Sequence, residues 1–296
     1  MGTRLDVVMP DVEPAHGRAV FQSIADEVAR LEGRLSRFRR TSFVTRINLE
    51  AGDRPVRLDE EMWSLLTRCA ELHRRTSGAF DVTVLPLLQL WGFTGEHPPD
   101  KRPSAAEILS VRDRVGMEKL IFDATSAAVR FSVDGMKIDF GAVGKGLALE
   151  RVEVILRESG IASALVNFGD SSILVVGPHP LGGPWPIGVR RSDEDPTVLH
   201  TWATMDTAIS SSGGANQSMT IDGSSYGHVV DPRTGVPTDA GVLVSVLATS
   251  AVEAEALSTA LTVLDSPADV LRNFDAQGVA VDRDDRVSSY GVRRVV

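Results

Sequence analysis

The chain has 296 residues, of which 43% are apolar and 24% charged, an ordinary globular composition with length enough for one large core or two small ones. Its net charge of -9 and sequence pI of about 5.2 argue against a surface that coats nucleic acid, since phosphate binding of that kind draws on clustered Lys and Arg. No stretch nears the roughly 18 apolar residues of a membrane span and residues 1–30 lack the pattern of a signal peptide, so no membrane span is expected and a cytoplasmic location is, unless a leader has been removed.

In chain order, residues 5–9 read as a first strand. Val20, Phe21, Ile24, Val28, Leu31 and Leu35 recur at helical spacing and predict an amphipathic helix from 17 to about 36. A second helix carries Met62, Leu65, Leu66, Cys69 and Leu72, with Gly78 beyond its end to close it in the left-handed conformation. Cys69 is the only cysteine, so it is read as core, and no intrachain disulfide or cysteine-based metal cluster can form. Residues 94–105, rich in proline, read as a loop. Strands are expected at 120–122, 128–133 and 136–140, then a helix with Ala148, Val152 and Ile155 inward that ends near Gly160. Further strands fall at 164–168, 173–176, 186–189, 201–209 and 242–247, with a Pro- and Gly-dense loop at 177–186. Ser250 and Glu253 are spaced as a capping box that starts a last helix through 264. Helices and strands intermingle without regular alternation, which predicts an α+β fold with a mixed, largely antiparallel sheet. Neither loop makes a convincing linker and no repeat is present, so one domain is expected over 1–296, with two lobes left open.

Four stretches hold chemistry-bearing residues. In "KIDFGAVGKGLALERV", residues 137–152, Gly141, Gly144 and Gly146 let the backbone turn tightly at a helix N-terminus, where amides and dipole attract anions, and Lys145 stands beside them. The G-x-x-G-K-G spacing matches neither the nucleotide P-loop nor the dinucleotide fingerprint, and "DFG" lacks the catalytic loop of a kinase. In "SAVEAEALSTALTVL", residues 250–264, Glu255 and Thr259 stand four apart with Ser258 alongside, an oxygen set that suits magnesium. The helix alone reads more readily as a solvent-facing Glu with Ser and Thr bonded back to the backbone. "YGHVVDPRTGVP", residues 226–237, has strong turn chemistry after His228, and the remaining histidines show no zinc-like spacing. "SGAFDVTVLPLLQLWGF", residues 77–93, is too apolar for a surface loop and carries Asp81.

Taken in order, these stretches resemble the FAD:protein FMN transferases, the ApbE family, from the first residues to about Leu264. The resemblance runs through "MGT", "FRRTSFVTRIN" (from Phe38), "GAFDVTVLPLLQLWGF", "DFGAVGKG", "LVNFGD", "PWPIGVR", "SSGG", "HVVDPRTG" and "EALSTAL". It implies an α+β fold of T-fold-like type that grips FAD in an elongated cleft, with magnesium at the pyrophosphate. By matching position, Met1, Phe38, Ala79, Phe80 and Asp81 would contact the flavin or adenosine parts, Asp139 and Lys145 would bind FAD beside the glycine turn, and Val230 would add a backbone contact. The metal would take the Ala142 carbonyl with Glu255, Ser258 and Thr259. The implied reaction is attack by a threonine or serine hydroxyl of an acceptor protein on the FMN-side phosphorus of FAD, expelling AMP. For the proton of that hydroxyl, His228 is the well-placed acceptor with a suitable ordinary pKa, near 6.5.

The chain departs from the family pattern at Glu255, where aspartate is usual, at Gly214, where aspartate is common, and at Asp170, where glycine is common. Two other functions use the same site: a magnesium-dependent FAD pyrophosphatase with water as nucleophile, and a non-catalytic FAD-binding protein.

Overall fold

The computed structural model describes residues 3–95, 101–191, 196–213 and 218–291. Strand β1 (Leu5–Val8) leads to helix α1 (Pro14–Leu35), which opens with proline at its first turn and the Glu13 carboxylate on the amides of Ala15 and His16. Val20, Ile24, Leu31 and Leu35 face inward, but Phe21 stays exposed, outside the buried stripe. Helix α2 (Phe43–Glu50) and strand β2 (Val56–Arg57) precede helix α3 (Glu60–Arg75). Asp59 caps α3 through the Met62 amide, acids fill its first turn and His73, Arg74 and Arg75 its last, which complements the helix dipole. Ser77 and Gly78 both take positive φ just beyond it, 53° and 79°, so the closure expected at Gly78 is shared with a serine. Helix α4 (Leu85–Leu90) and helix α5 (Ala105–Arg112) follow, the latter started by a reciprocal capping box between Ser104 and Glu107.

Strands β3 (Leu120–Asp123) and β4 (Ala128–Phe131) pair with each other, and β4 also pairs with β2. The strand expected at 136–140 does not form. The side chain of Asn48 accepts from the Ile138 amide at 2.7 Å and donates to the Ile138 carbonyl at 2.9 Å, while the Asp139 amide donates to the Val82 carbonyl at 2.7 Å. A side chain and a loop meet the backbone needs that a ladder would otherwise satisfy. Helix α6 (Gly144–Glu158) ends before Gly160, whose φ is 73°. Then come β5 (Ala164–Phe168), β6 (Ser172–Val176) and β7 (Trp185–Val189). The single strand expected at 201–209 is two, β8 (His200–Thr204) and β9 (Thr207–Gly213), broken where Asp206 adopts φ 50°. Strands β10 (Ser218–Ile221), β11 (Ser224–Val230), β12 (Pro237–Asp239) and β13 (Leu243–Ala248) lead into helix α7 (Ala251–Leu261), helix α8 (Pro267–Leu271) and strands β14 (Ala276–Val281) and β15 (Val287–Tyr290).

The main sheet has seven strands in the order β1-β5-β6-β9-β13-β14-β15. Each of its ladders is antiparallel, so among the described residues the sheet is antiparallel rather than mixed. Alternation along β13 sorts its side chains onto two faces. Val244 and Val246 join the large core under α1, α3, α6 and α7. Leu243 and Leu247 meet Trp185, Ile187, Val189 and Trp202 of the β7–β8 hairpin on the other face. A third cluster packs Leu87, Trp91 and Ile108 of the α4–α5 region against Ile221 and Val230. Each fully buried aliphatic or aromatic side chain contributes about 1.5–3 kcal/mol, so the large core fixes α6 and α7 on the sheet. Among the described residues no helix is long and apolar enough to cross a membrane.

Candidate active site

A cavity of about 1180 Å³ opens where α6 and α7 meet the sheet. Its wall includes Phe38, Ala79, Phe80, Asp81, Asp139, Ala142, Lys145, His228, Val230, Glu255 and Thr259, residues that the sequence scatters over more than two hundred positions. Met1 and Gly214 lie outside the described residues. Ser258 is not on the wall.

The glycine turn explains how α6 and α7 come so close. A Cβ on Gly146 would sit 2.6 Å from the Ala251 carbonyl oxygen and 2.9 Å from the Val252 Cα, both backbone atoms of α7. Only glycine allows that approach. The Gly146 amide donates to Glu255 Oε2 at 2.7 Å, and Ser172 Oγ donates to Glu255 Oε1 at 2.6 Å. Glu255 is 4% exposed, which excludes a solvent-facing carboxylate. The anion that the α6 N-terminus attracts is thus first a side chain of the protein itself. The Lys145 ammonium donates to Ser171 Oγ and stands 3.8 Å from Glu255 Oε1. Burial pushes Lys145 down from its ordinary pKa and Glu255 up, the mutual attraction opposing but not overcoming desolvation.

Ser258 faces the other way. Its hydroxyl lies 3.0 Å from Ser210 Oγ and 2.8 Å from Ser212 Oγ and donates to the Glu255 carbonyl at 3.1 Å, tying α7 to β9. Ala142, Glu255 and Thr259 nevertheless line one cavity, and the backbone carbonyl, carboxylate and hydroxyl that these residues carry are a donor set that fits a hard divalent cation. A carboxylate offers about four lone-pair sites, so the two bonds Glu255 already accepts leave room for such an ion.

Asp81, also on the wall, has a structural task. Its Oδ1 accepts from the amide and hydroxyl of Thr83 at 2.7 and 2.6 Å, and Oδ2 accepts from the Met117 amide at 3.2 Å. The His73 ring bonds the Phe80 carbonyl at 3.0 Å and lies 3.3 Å from Asp81. Burial would lower the His73 pKa, but the Asp81 carboxylate holds it above the ordinary value. The Asp231 carbonyl accepts from the Gly235 amide at 2.7 Å, and the Asp231 carboxylate takes the Arg233 guanidinium at 2.8 and 2.9 Å. Arg233 also donates to the Val263 carbonyl at 2.7 Å, just past α7. This turn fixes the end of β11, which presents His228 and Val230 to the cavity.

Sequence reasoning missed Arg37, Ser171 and the run Ser210, Ser211 and Ser212, all on the wall. The triple serine on a strand was a visible signal, since alternation must turn some of those hydroxyls to each face. Asp170 adopts φ 58° after Gly169 at 66°. A position where glycine is usual accepts this aspartate because Asp tolerates the left-handed region, helped by the bond from Asn167 Nδ2 to Asp170 Oδ1 at 2.7 Å.

Fold and cavity together define an antiparallel α+β protein with a large, partly polar cleft whose walls come from remote segments. The family model described as ApbE family matches residues 1–281, and the chain belongs to that family. It is 30% identical over 285 residues to the FAD:protein FMN transferase of Klebsiella pneumoniae (strain 342), covering 95% of this chain and 81% of the relative. The enzyme of that name from Escherichia coli (strain K12) is 28% identical over 268 residues, covering 89% and 76%. Among solved structures, the ApbE protein of Thermotoga maritima superposes with a TM-score of 0.87 at 30% identity, covering 98% of this chain and 94% of that one. The flavinyl transferase ApbE of Pseudomonas stutzeri, apo form, gives 0.81 at 27% identity over 98% and 92%.

Proposed function

We propose that this chain transfers the FMN moiety of FAD to a threonine or serine hydroxyl of an acceptor protein, with release of AMP. The observation that carries this reading is the convergence of the glycine turn, the α7 face and the β11 strand on one cavity. That cavity exceeds the roughly 300–1,000 Å³ of an ordinary small-molecule site, as a dinucleotide plus an entering side chain would require. The names of the relatives point to the same reaction.

In the proposed reaction the acceptor oxygen bonds to the FMN-side phosphorus, and the bond from that phosphorus to the bridging oxygen breaks with its electron pair leaving on AMP. His228, on the cavity wall, takes the proton of the attacking hydroxyl. Lys145 supplies positive charge beside the diphosphate, and phosphoryl transfer depends mainly on such alignment and neutralisation. Ala142, Glu255 and Thr259 would hold a magnesium ion, which supplies further charge neutralisation when bound. Ser258 drops out of the ligand set expected from the sequence, because its hydroxyl is bonded to β9. Phe38, Ala79 and Phe80 offer the apolar contacts for the rings, and Val230 would add a backbone contact.

The test incubates the protein with FAD, magnesium and a candidate acceptor and follows AMP, free FMN and gel-resolved flavin fluorescence. Covalent fluorescence on the acceptor with stoichiometric AMP is the expected result. Free FMN with AMP, or FAD recovered intact, would replace the transferase with a pyrophosphatase or a carrier respectively.

A further inference from the structure

The stretch "PWPIGVR", residues 184–190, carries part of the family resemblance, yet none of its residues is among those proposed to hold FAD. Its strand β7 pairs with β8 alone, so among the described residues its second edge has no partner strand. Pro186, Ile187, Gly188 and Arg190 are nevertheless on the cavity wall, and no residue of β8 is. Successive strand residues point to opposite faces, and Ile187 packs toward the main sheet. A cavity that touches 186, 187 and 188 together therefore runs along the strand's edge. That edge is the open one, since β8 closes the other. The Val189 carbonyl accepts from the Leu199 amide at 2.9 Å, which puts the polar groups of Val189 on the β8 side and, by alternation, those of Gly188 on the open edge. Pro186 suits such an edge, because proline has no N–H to leave unpaired.

The edge adjoins an apolar floor. Leu165, Ile173 and Leu243, from β5, β6 and β13, are on the same wall and pack with the cluster that holds Ile187. At the end of the edge stand two arginines with different duties. Arg191 is committed: its Nη1 donates to the Gly241 carbonyl at 2.9 Å and its Nε to Asp285 at 3.0 Å, which anchors the end of β7. Arg190 is exposed and makes no hydrogen bond or ion pair among the described residues. From this floor the cavity continues to the glycine turn. Ser171, in the turn between β5 and β6, is on the wall, and its hydroxyl accepts from the Lys145 ammonium.

We infer that the open edge of β7 is the docking site of the acceptor polypeptide. The acceptor adds to β7 as an extended strand, carries its threonine or serine hydroxyl past Ser171 to the diphosphate, and sets a carboxylate against Arg190. The inference rests on the transferase reading above. That reaction must bring a polypeptide to the phosphorus, and the FAD contacts proposed for this cavity draw on no residue of β5, β6, β7 or β13. Main-chain hydrogen bonds to a sheet edge give affinity with little regard to sequence, while side-chain contacts make the selection. At Arg190 the complementary choice is an acid.

The probe is a library of short synthetic peptides, each with one central threonine and flanks drawn at random from Ala, Val, Ser, Asp and Lys. It is incubated with the protein, FAD and magnesium, and peptides that gain FMN are identified by mass spectrometry. Labelled peptides are expected, with aspartate favoured over lysine at one position by about two- to fivefold, the size of an exposed ion pair. Arg190→Glu, at an exposed position, should invert that preference while FAD affinity by flavin fluorescence stays at the wild-type value. A labelled peptide is then remade with N-methyl groups on alternate residues, which tests the pairing without altering the protein. One alternate set should abolish labelling and the other leave it, since every second N–H of an added strand faces β7. The inference is overturned if both sets act alike, if no acidic preference exists, or if the preference survives Arg190→Glu. A loss of FAD affinity in Arg190→Glu would also overturn it, by placing Arg190 at the dinucleotide, as would a wild type that binds FAD and labels no peptide. Wild-type protein that binds no FAD would instead bring down the functional reading on which the inference stands.

Discussion

Gly146→Ala tests whether the contact between α6 and α7 sets the chemistry rather than merely the packing. The added methyl would meet the Ala251 carbonyl oxygen at 2.6 Å, against 3.4 Å where ordinary contact begins, a shortfall of about 0.8 Å. The obstructing atoms are backbone, so no side-chain rotation relieves it and the helices must part by about that amount. Overpacking of this kind costs about 1–3 kcal/mol, while alanine recovers about 1 kcal/mol of helix propensity, leaving a net loss of about 0–2 kcal/mol. For a chain of this size that is a fall in Tm of no more than about 8 °C. The Gly146 amide, however, holds Glu255, and its neighbour is Lys145. A displacement near 1 Å at reacting groups costs on the order of a hundredfold in rate. We therefore expect kcat/KM for flavin transfer to drop about a hundredfold while thermal unfolding by circular dichroism moves only a few degrees. Full activity in a stably folded Gly146→Ala variant would refute the reasoning. Gly33→Ala in α1 is the matched control, with nothing within 4 Å of its added methyl, and should raise Tm slightly.

Thr259→Val keeps the shape of α7 but deletes an oxygen from the cavity wall; the magnesium concentration for half-maximal turnover should rise more than tenfold with FAD affinity unchanged, and equal activity at limiting magnesium would remove Thr259 from the ion site. His228→Ala should lower kcat by about 10²–10⁴ while FAD binding, measured by fluorescence, is retained; an unaltered kcat would remove His228 as the proton acceptor. Burial would raise the Glu150 pKa, but its ion pair with Arg68 at 2.7 and 2.8 Å and its bonds from Ser250 Oγ and the Val252 amide hold it below its ordinary 4.5. A group depressed in the folded state contributes stability that is present above about pH 4.5 and is lost as pH falls through the folded value. Urea midpoints recorded from pH 6 down should therefore fall more steeply below that point in the wild type than in Glu150→Gln; parallel curves would show that the pair does not stabilise the fold.

Much of the fold is legible because its cause is local. The helices around Ile24, Leu66 and Ala148 announce themselves by spacing, and β5 and β13 by short, largely apolar runs. Residues 136–140 mislead for the same reason: their alternating apolar pattern is that of a strand, yet the partner is the side chain of Asn48, 90 positions from Ile138. Strand β14 was hidden by Gly278, which weakens a strand pattern but here makes room for Leu261 and Leu271, whose Cδ1 atoms would lie 3.2 and 3.1 Å from a Cβ. In the site, the motifs identified Lys145 and Glu255 as separate features. Their pairing, like that of Arg37 with Asp139 at a separation of 102 positions, is a long-range event that no window of sequence contains.

Helix α7 serves as a gauge bar for the catalytic cleft. At its start, Ser250 and the Val252 amide are pinned to Glu150 and through it to Arg68 on α3; at its far end Arg233 grips Val263 from the turn that follows β11. Lys145 and His228 therefore stand on mounts spaced by one rod. A residue inserted between Glu255 and Thr259 would turn Thr259 about 100° away from Glu255, and it would shift one mount relative to the other. The turn between β6 and β7, with Leu181 on the surface, can change length without touching either mount. The spacing of the two mounts therefore depends on the length of that eleven-residue helix and not on the lengths of the outer loops.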